Sequence, residues 1–158
     1  MQVKVKRLHP NATLPEYATD GSGCFDLRAM TVDSAFLLGQ IIEHDSPVVC
    51  STGLAFEIPQ GHVMLLFSRS GHAFKQNIRL ANCVGVIDSD YRGEVKVKLT
   101  KDDDWHDHLE TAPVDLISPG ERIAQGLILP IPHIEFIESD ELSDTARGEG
   151  GFGSTGAA

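Results

Sequence analysis

Apolar residues in this chain come in short runs, none of them sustained at helical spacing, and that confines most of the chain to strands. Val48-Val49-Cys50, Leu54-Ala55-Phe56-Glu57-Ile58, His62-Val63-Met64-Leu65-Leu66-Phe67 and Gln125-Gly126-Leu127-Ile128-Leu129-Pro130 are separated by Gly, Pro, Asp and Ser. Runs of that length between turn formers predict an all-β fold, since strands typically last about five or six residues. The pattern leaves room for one short helical turn, over Ser70 to Gln76 before Ile78, with Gly71 early in it. Barrel, sandwich and jelly roll remain equally open on pattern alone.

Chemistry concentrates between Asn82 and Val95. Val84, Val86 and Ile87 lead in, Val95, Val97 and Leu99 alternate on the way out, and Ser89-Asp90 and Gly93 supply turn character between them. This reads as a β-hairpin whose turn presents a carboxylate at Asp88, an aromatic ring with a polar tip at Tyr91, and a guanidinium at Arg92. Arg92 has an acid within reach in Glu94, or on another subunit. An ordinary surface hairpin would show many of the same residue types.

A length of 158 residues, 41% hydrophobic and 23% charged, suits one compact domain with a real core. The β domain is expected over 1–142, followed over 143–158 by a glycine-rich arm without apolar periodicity. The formal net charge of −10 argues against a sequence-independent grip on nucleic acid. It does not argue against one bound nucleotide, which a few arginines, backbone amides and a divalent cation can hold. Cys24, Cys50 and Cys83 cannot all pair within the chain and show no metal-ligand spacing, so they read as packing residues of a reduced, cytoplasmic protein. No apolar run reaches the ~18 residues that span a bilayer.

Five segments match a single pattern in order: Ala18-Thr19-Asp20-Gly21-Ser22-Gly23-Cys24-Phe25-Asp26-Leu27-Arg28-Ala29, Arg69-Ser70-Gly71, the stretch from Asn82 to Val95, Gly120-Glu121-Arg122-Ile123-Ala124-Gln125, and Arg147-Gly148-Glu149-Gly150-Gly151-Phe152-Gly153-Ser154-Thr155-Gly156. Together they resemble the five motifs of the trimeric dUTP pyrophosphatases (dUTPases), and the resemblance spans almost the whole chain. It implies a distorted jelly roll, a homotrimer with sites shared between subunits, and Mg²⁺-assisted hydrolysis of dUTP to dUMP and pyrophosphate, which limits uracil in DNA and feeds thymidylate synthesis. The rivals are a dCTP deaminase of the same superfamily and a nucleotide-dependent regulatory or partner-binding protein.

The same resemblance assigns roles. Arg69, Ser70 and Gly71 contact the phosphates, Gln125 lies near the phosphate and metal-water network, and Asp26 meets the metal through water. Asn82 and main-chain groups from Gly85 onward present a pairing edge to uracil, with Tyr91 against the deoxyribose. Asp88 is the general base for the attacking water. Phe152 stacks over uracil, while Arg147, Ser154 and Thr155 reach the terminal phosphates. The chain departs from the usual form at Cys24, where the family favours glycine, and at Ser68, where a proline often precedes Arg-Ser-Gly. An acidic stretch over 101–112, containing Trp105, His106 and His108, is longer than the connection many relatives carry and reads as a solvated loop rather than a metal site.

Overall fold

A computed structural model describes residues 1–30, 40–42, 47–102, 115–151 and 154. Strands β1 (Lys4–Arg7), β2 (Glu16–Tyr17), β3 (Phe25–Arg28), β4 (Gln40–Ile42), β5 (Val48–Ser51), β6 (Leu54–Glu57) and β7 (His62–Phe67) precede helix α1 (Ser70–Gln76). Strands β8 (Ile78–Leu80), β9 (Val84–Ile87), β10 (Lys96–Lys101), β11 (Asp115–Ile117) and β12 (Arg122–Pro130) follow it. Helix α1 falls where the sequence allows one, and Asn77 ends it in the left-handed region at φ 55°. Asparagine tolerates that conformation better than most residues, and Ile78 then starts a strand.

All described strand pairs are antiparallel. A five-stranded sheet runs β2-β3-β12-β7-β9, a three-stranded sheet runs β5-β10-β8, and β1-β6 and β11-β4 form two smaller pairs. Leu27, Met64 and Ile123 of the large sheet share one core with Leu80, Val97 and Leu99 of the three-stranded one. The two sheets therefore face each other across a single apolar layer. Among the described residues, no helix is long and apolar enough to cross a membrane.

The hairpin expected around Asp88 is not formed. β9 pairs with β7 in the large sheet, whereas β10 pairs with β5 and β8 in the other, so residues 88–95 carry the chain between sheets. Alternation at Val95, Val97 and Leu99 correctly marks which side chains are buried, but period two says nothing about which strand lies alongside. β9 lies antiparallel to β7, close enough at Gly85 that an added Cβ would lie 3.0 Å from the Cβ of Leu66. Nor does Arg92 pair with Glu94, because its guanidinium donates instead to the carbonyls of Ser89 at 2.6 Å and Tyr91 at 3.0 Å.

A bulge in β12 matters for the site. Arg122 lies opposite Arg28, and Ala124 opposite Leu27, so Ile123 is an extra residue on β12. Ile123 and Ala124 are both fully buried. In a regular strand, residues 122 and 125 would point to opposite faces. The bulge resets that phase, and both Arg122 and Gln125 arrive on the face where Asp26 stands.

Beyond β12 the chain leaves the body of the protein. Ile131 donates its amide to Gly61 O at 2.8 Å, after which Ile134, Phe136, Ile137 and Leu142 are 68%, 91%, 82% and 90% exposed. At the other edge of the acidic stretch, Lys101 closes β10 opposite Ile78, and Arg79 Nε donates to both Asp102 carboxylate oxygens at 2.9 and 2.8 Å. The residues from 103 to 114, including Trp105, His106 and His108, lie outside the described ones.

Candidate active site

Phe25 and Leu27 of β3 point into the core, so Asp26 between them points to the other face. It is nonetheless only 8% exposed, because two arginines cover it. Arg69 Nε donates to Asp26 Oδ1 at 3.2 Å, and Arg122 donates from its guanidinium to Oδ2 at 3.1 Å. Arg69 also donates to the carbonyl of Arg122 at 3.1 Å. β3, β12 and the junction of β7 with α1 are thereby joined by one carboxylate and two cations. A guanidinium carries five N–H donors, so donors remain on both arginines for an anionic ligand.

Gln125 lies opposite Asp26 and donates its side-chain amide to Ser68 O at 3.0 Å, and its Oε1 has no partner among the described residues. Ser68 in turn accepts the Leu80 amide on its hydroxyl at 2.9 Å. A proline could have made no such side-chain bond, so the departure at Ser68 supplies a tie between β8 and the β7–α1 junction. Gly23, Asp26, Arg69, Ser70, Arg122 and Gln125 all border one cleft of about 340 Å³. Cys24 borders it too and does not take a positive φ, so a side chain is tolerated where the family favours glycine. Gly71 sits one residue inside α1, next to the cleft rather than on it.

Helix α1 has no side-chain N-cap from Arg69 and is held from the side instead. His72, 5% exposed, places Nε2 at 2.8 Å from Glu121 Oε1, and Glu121 Oε2 accepts the Ser118 amide at 2.9 Å. Nδ1 of His72 is buried without a partner among the described residues, so the tautomer with its proton on Nε2 leaves no buried N–H unpaired. Neither His72 nor Arg122 is announced as a site residue by sequence pattern. The available signal was only their position beside Arg69-Ser70-Gly71 and Gln125. Burial, and then the charge of Glu121, push the Cys50 thiol up to about 11, which keeps it a neutral packing group.

The remaining predicted residues lie elsewhere. Asp88 and Tyr91 border a second cleft of about 500 Å³, and Asn82 and Gly85 border a third of about 380 Å³, which shares Val86, Ile87 and Lys96 with the second. Neither shares a residue with the cleft at Asp26. Asp88 is exposed, and its carboxylate accepts no hydrogen bond from the described side chains, while its carbonyl takes the Tyr91 amide at 3.2 Å. Arg147 and Ser154 are exposed on the terminal arm, with Arg147 Nε donating to Gly150 O at 2.6 Å. Phe152 and Thr155 lie outside the described residues. One chain thus gathers Asp26, Arg69, Ser70 and Gln125 in one place, and Asn82, Gly85, Asp88 and Tyr91 in another.

A sequence model of the dUTPase family matches residues 10–156. The chain belongs to the dUTPase family. It is 44% identical to a deoxyuridine 5'-triphosphate nucleotidohydrolase of Nautilia profundicola over 99% of both chains. It is 37% identical to one of Helicobacter pylori, over 99% of this chain and 97% of the relative. Among solved structures, a mutant dUTPase of Staphylococcus bacteriophage 80alpha with dUpNHpp matches with a TM-score of 0.80 and 29% identity, over 98% of each chain. The fold of this dUTPase-family chain is accordingly of the all-β jelly-roll type, with one short helix among its described residues.

Because Asp26 anchors Arg69 and Arg122, its neutral isostere should weaken the empty protein. Asp26→Asn is expected to lower stability by about 1–3 kcal/mol without nucleotide or metal present, read as a shifted urea midpoint at matched protein concentration. An unshifted midpoint would show that the three segments do not depend on this carboxylate.

Proposed function

We propose that this chain hydrolyses dUTP to dUMP and pyrophosphate, which limits uracil in DNA and supplies dUMP for thymidylate synthesis. The observation that carries the reading is the convergence of Arg69, Ser70, Arg122 and Gln125 on one cleft around Asp26. A triphosphate needs fixed cations and polar donors, and these are already in place before any ligand binds. Arg69 supplies a charged fork, Ser70 a hydroxyl and Gln125 an oriented side-chain amide, with the Gly71 amide beside them at the start of α1.

No group of three or more His, Cys, Asp or Glu residues able to cage a metal exists among the described residues. Mg²⁺ would be carried in on phosphate oxygens and keep most of its waters, with Asp26 meeting it only through water. When bound there, Mg²⁺ would neutralise charge on the phosphate oxygens. The protein's own part is to hold the phosphates with Arg69 and Ser70 and to orient the ion's water shell with Asp26 and Gln125.

The other half of the reaction belongs to the second and third clefts. Asn82 and the backbone from Gly85 present donors and acceptors to uracil, and Tyr91 lies against the deoxyribose. Asp88, exposed and unencumbered, takes the proton from a water that attacks the α-phosphorus, and pyrophosphate departs. Direct attack by water needs no covalent intermediate, so no nucleophilic side chain is required.

These halves lie in separate clefts of one chain, and Ile134, Phe136, Ile137 and Leu142 find no cover among the described residues. Both facts support a homotrimer in which each site is shared between subunits. Arg147, Phe152, Ser154 and Thr155 would close the site from the terminal arm once base and phosphates are present. Sedimentation is expected to give a particle near three chain masses. Full activity from a particle of one chain mass would overturn the shared site.

Asp88→Asn should keep the fold and bind dUTP, while pyrophosphate release falls by roughly 10²–10⁴-fold, because the amide cannot take a proton. Near-normal release with unchanged binding would remove Asp88 from the role of base. Truncation before Arg147 should preserve assembly but sharply reduce turnover. Ordering the arm costs about 1–2 kcal/mol per residue, so closure depends on the nucleotide. Protease protection of the arm without nucleotide would contradict that gating.

A further inference from the structure

The turn at Thr52-Gly53 acts as a bracket for the chain leaving the cleft of Asp88 and Tyr91. Gly53 holds φ +67°, and a Cβ there would lie 2.6 Å from Met30 Sδ and 2.8 Å from Ala12 Cβ, so only glycine fits. Thr52, fully buried, donates its hydroxyl to Val95 O at 2.6 Å and accepts the Leu54 amide at 3.2 Å. The Val95 amide donates to Leu54 O at 2.9 Å. Glu94 completes the attachment by accepting the Gly53 amide on Oε1 at 2.9 Å. Its other oxygen lies 3.6 Å from Lys96 Nζ, a longer and more exposed contact that holds less.

From that anchored residue the constraint passes to an aromatic ring. Tyr91 donates its hydroxyl to the carbonyl of Glu94 at 3.0 Å. A Cβ on Gly93 would collide with the Tyr91 hydroxyl and ring, so the ring folds over bare backbone. The position of the ring is therefore set at second hand, through Glu94, by a turn that is itself closely packed and hydrogen-bonded.

We propose that Glu94 is a positioning residue for sugar selectivity: by fastening to the Gly53 amide it fixes the carbonyl that holds the Tyr91 hydroxyl, and so fixes how closely the ring approaches C2′ of a bound nucleotide. The proposal rests on the functional reading above, in which Tyr91 lies beside the deoxyribose. Excluding a 2′-hydroxyl takes a wall that cannot retreat by the radius of one oxygen atom, roughly 1.5 Å, and that offers the hydroxyl no partner. A ring tied at its far end to a braced carbonyl meets that requirement, whereas a ring free to swing does not.

The test compares kcat/KM for dUTP and UTP in the purified full-length enzyme and in Glu94→Ala, Glu94→Gln and Tyr91→Phe. Glu94→Ala is expected to lower the dUTP-to-UTP ratio by about tenfold or more, with most of the change in KM for UTP. Glu94→Gln should restore the ratio, since its amide oxygen can accept the Gly53 N–H. Tyr91→Phe, which keeps the ring and loses its tether, should lower the ratio as Glu94→Ala does. A loss of folded or assembled protein would scale both substrates alike and leave the ratio untouched. An unchanged ratio in Glu94→Ala, or a Gln variant as permissive as the Ala variant, overturns the proposal. Should Glu94→Ala fail to fold, Tyr91→Phe decides: a retained ratio overturns it. A wild-type enzyme that does not hydrolyse dUTP overturns the functional reading itself. A selective wild type with an equally selective Glu94→Ala overturns only the role of Glu94.

Discussion

Asp26 is a carboxylate withdrawn from water in the middle of a strand, and a charge so placed costs several kcal/mol unless donors meet it. Arg69 and Arg122 meet it, one from the junction of β7 with α1 and one from the start of β12. Because the unpaired alternative is so unfavourable, the three segments have to close together whenever the protein folds. The same closure parks two guanidinium groups at the edge of a cleft before a ligand arrives. Stability and readiness for an anion thus come from one cluster, and Gln125 and Ser70 are carried into place with it.

That local arrangement also reconciles an acidic protein with an anionic ligand. With a net charge of −10 the molecule repels a nucleotide triphosphate at long range, but ionic screening confines that repulsion to about 8 Å at physiological salt. Inside that distance the ligand meets Arg69 and Arg122 rather than the average surface. On the proposed reading, specificity divides by location, with phosphate groups addressed around Asp26 and base and sugar around Asn82, Gly85 and Tyr91.

The sequence made local features legible and left long-range ones hidden. The helix at Ser70–Gln76 and the buried set Val95, Val97 and Leu99 could be read because propensity and alternation are written in neighbouring residues. The association of Asp26, Arg69, Ser70 and Gln125 was implied only by the resemblance to the dUTPase motifs, and the structure places these residues on one cleft. The hairpin around Asp88 was misread, since alternation specifies a face but not a partner, and β9 and β10 go to different sheets. Arg122 and His72 escaped notice because their roles arise from contacts with residues 96 and 49 positions away. The phase reset at Ile123 was equally hidden, since nothing in Arg122-Ile123-Ala124-Gln125 distinguishes a bulge from a regular strand.

The extra residue at Ile123 makes length itself carry information in β12. Upstream and downstream of it the strand runs in opposite phase, so removal of a single residue there would turn Gln125 toward the core and an apolar neighbour toward the arginines. Substitutions can accumulate along this strand one at a time, each judged by its own fit. Insertions and deletions cannot, because each would change the facing of several side chains at once. The length of this segment is therefore constrained as a whole, over and above the fit that each buried or site residue in it requires.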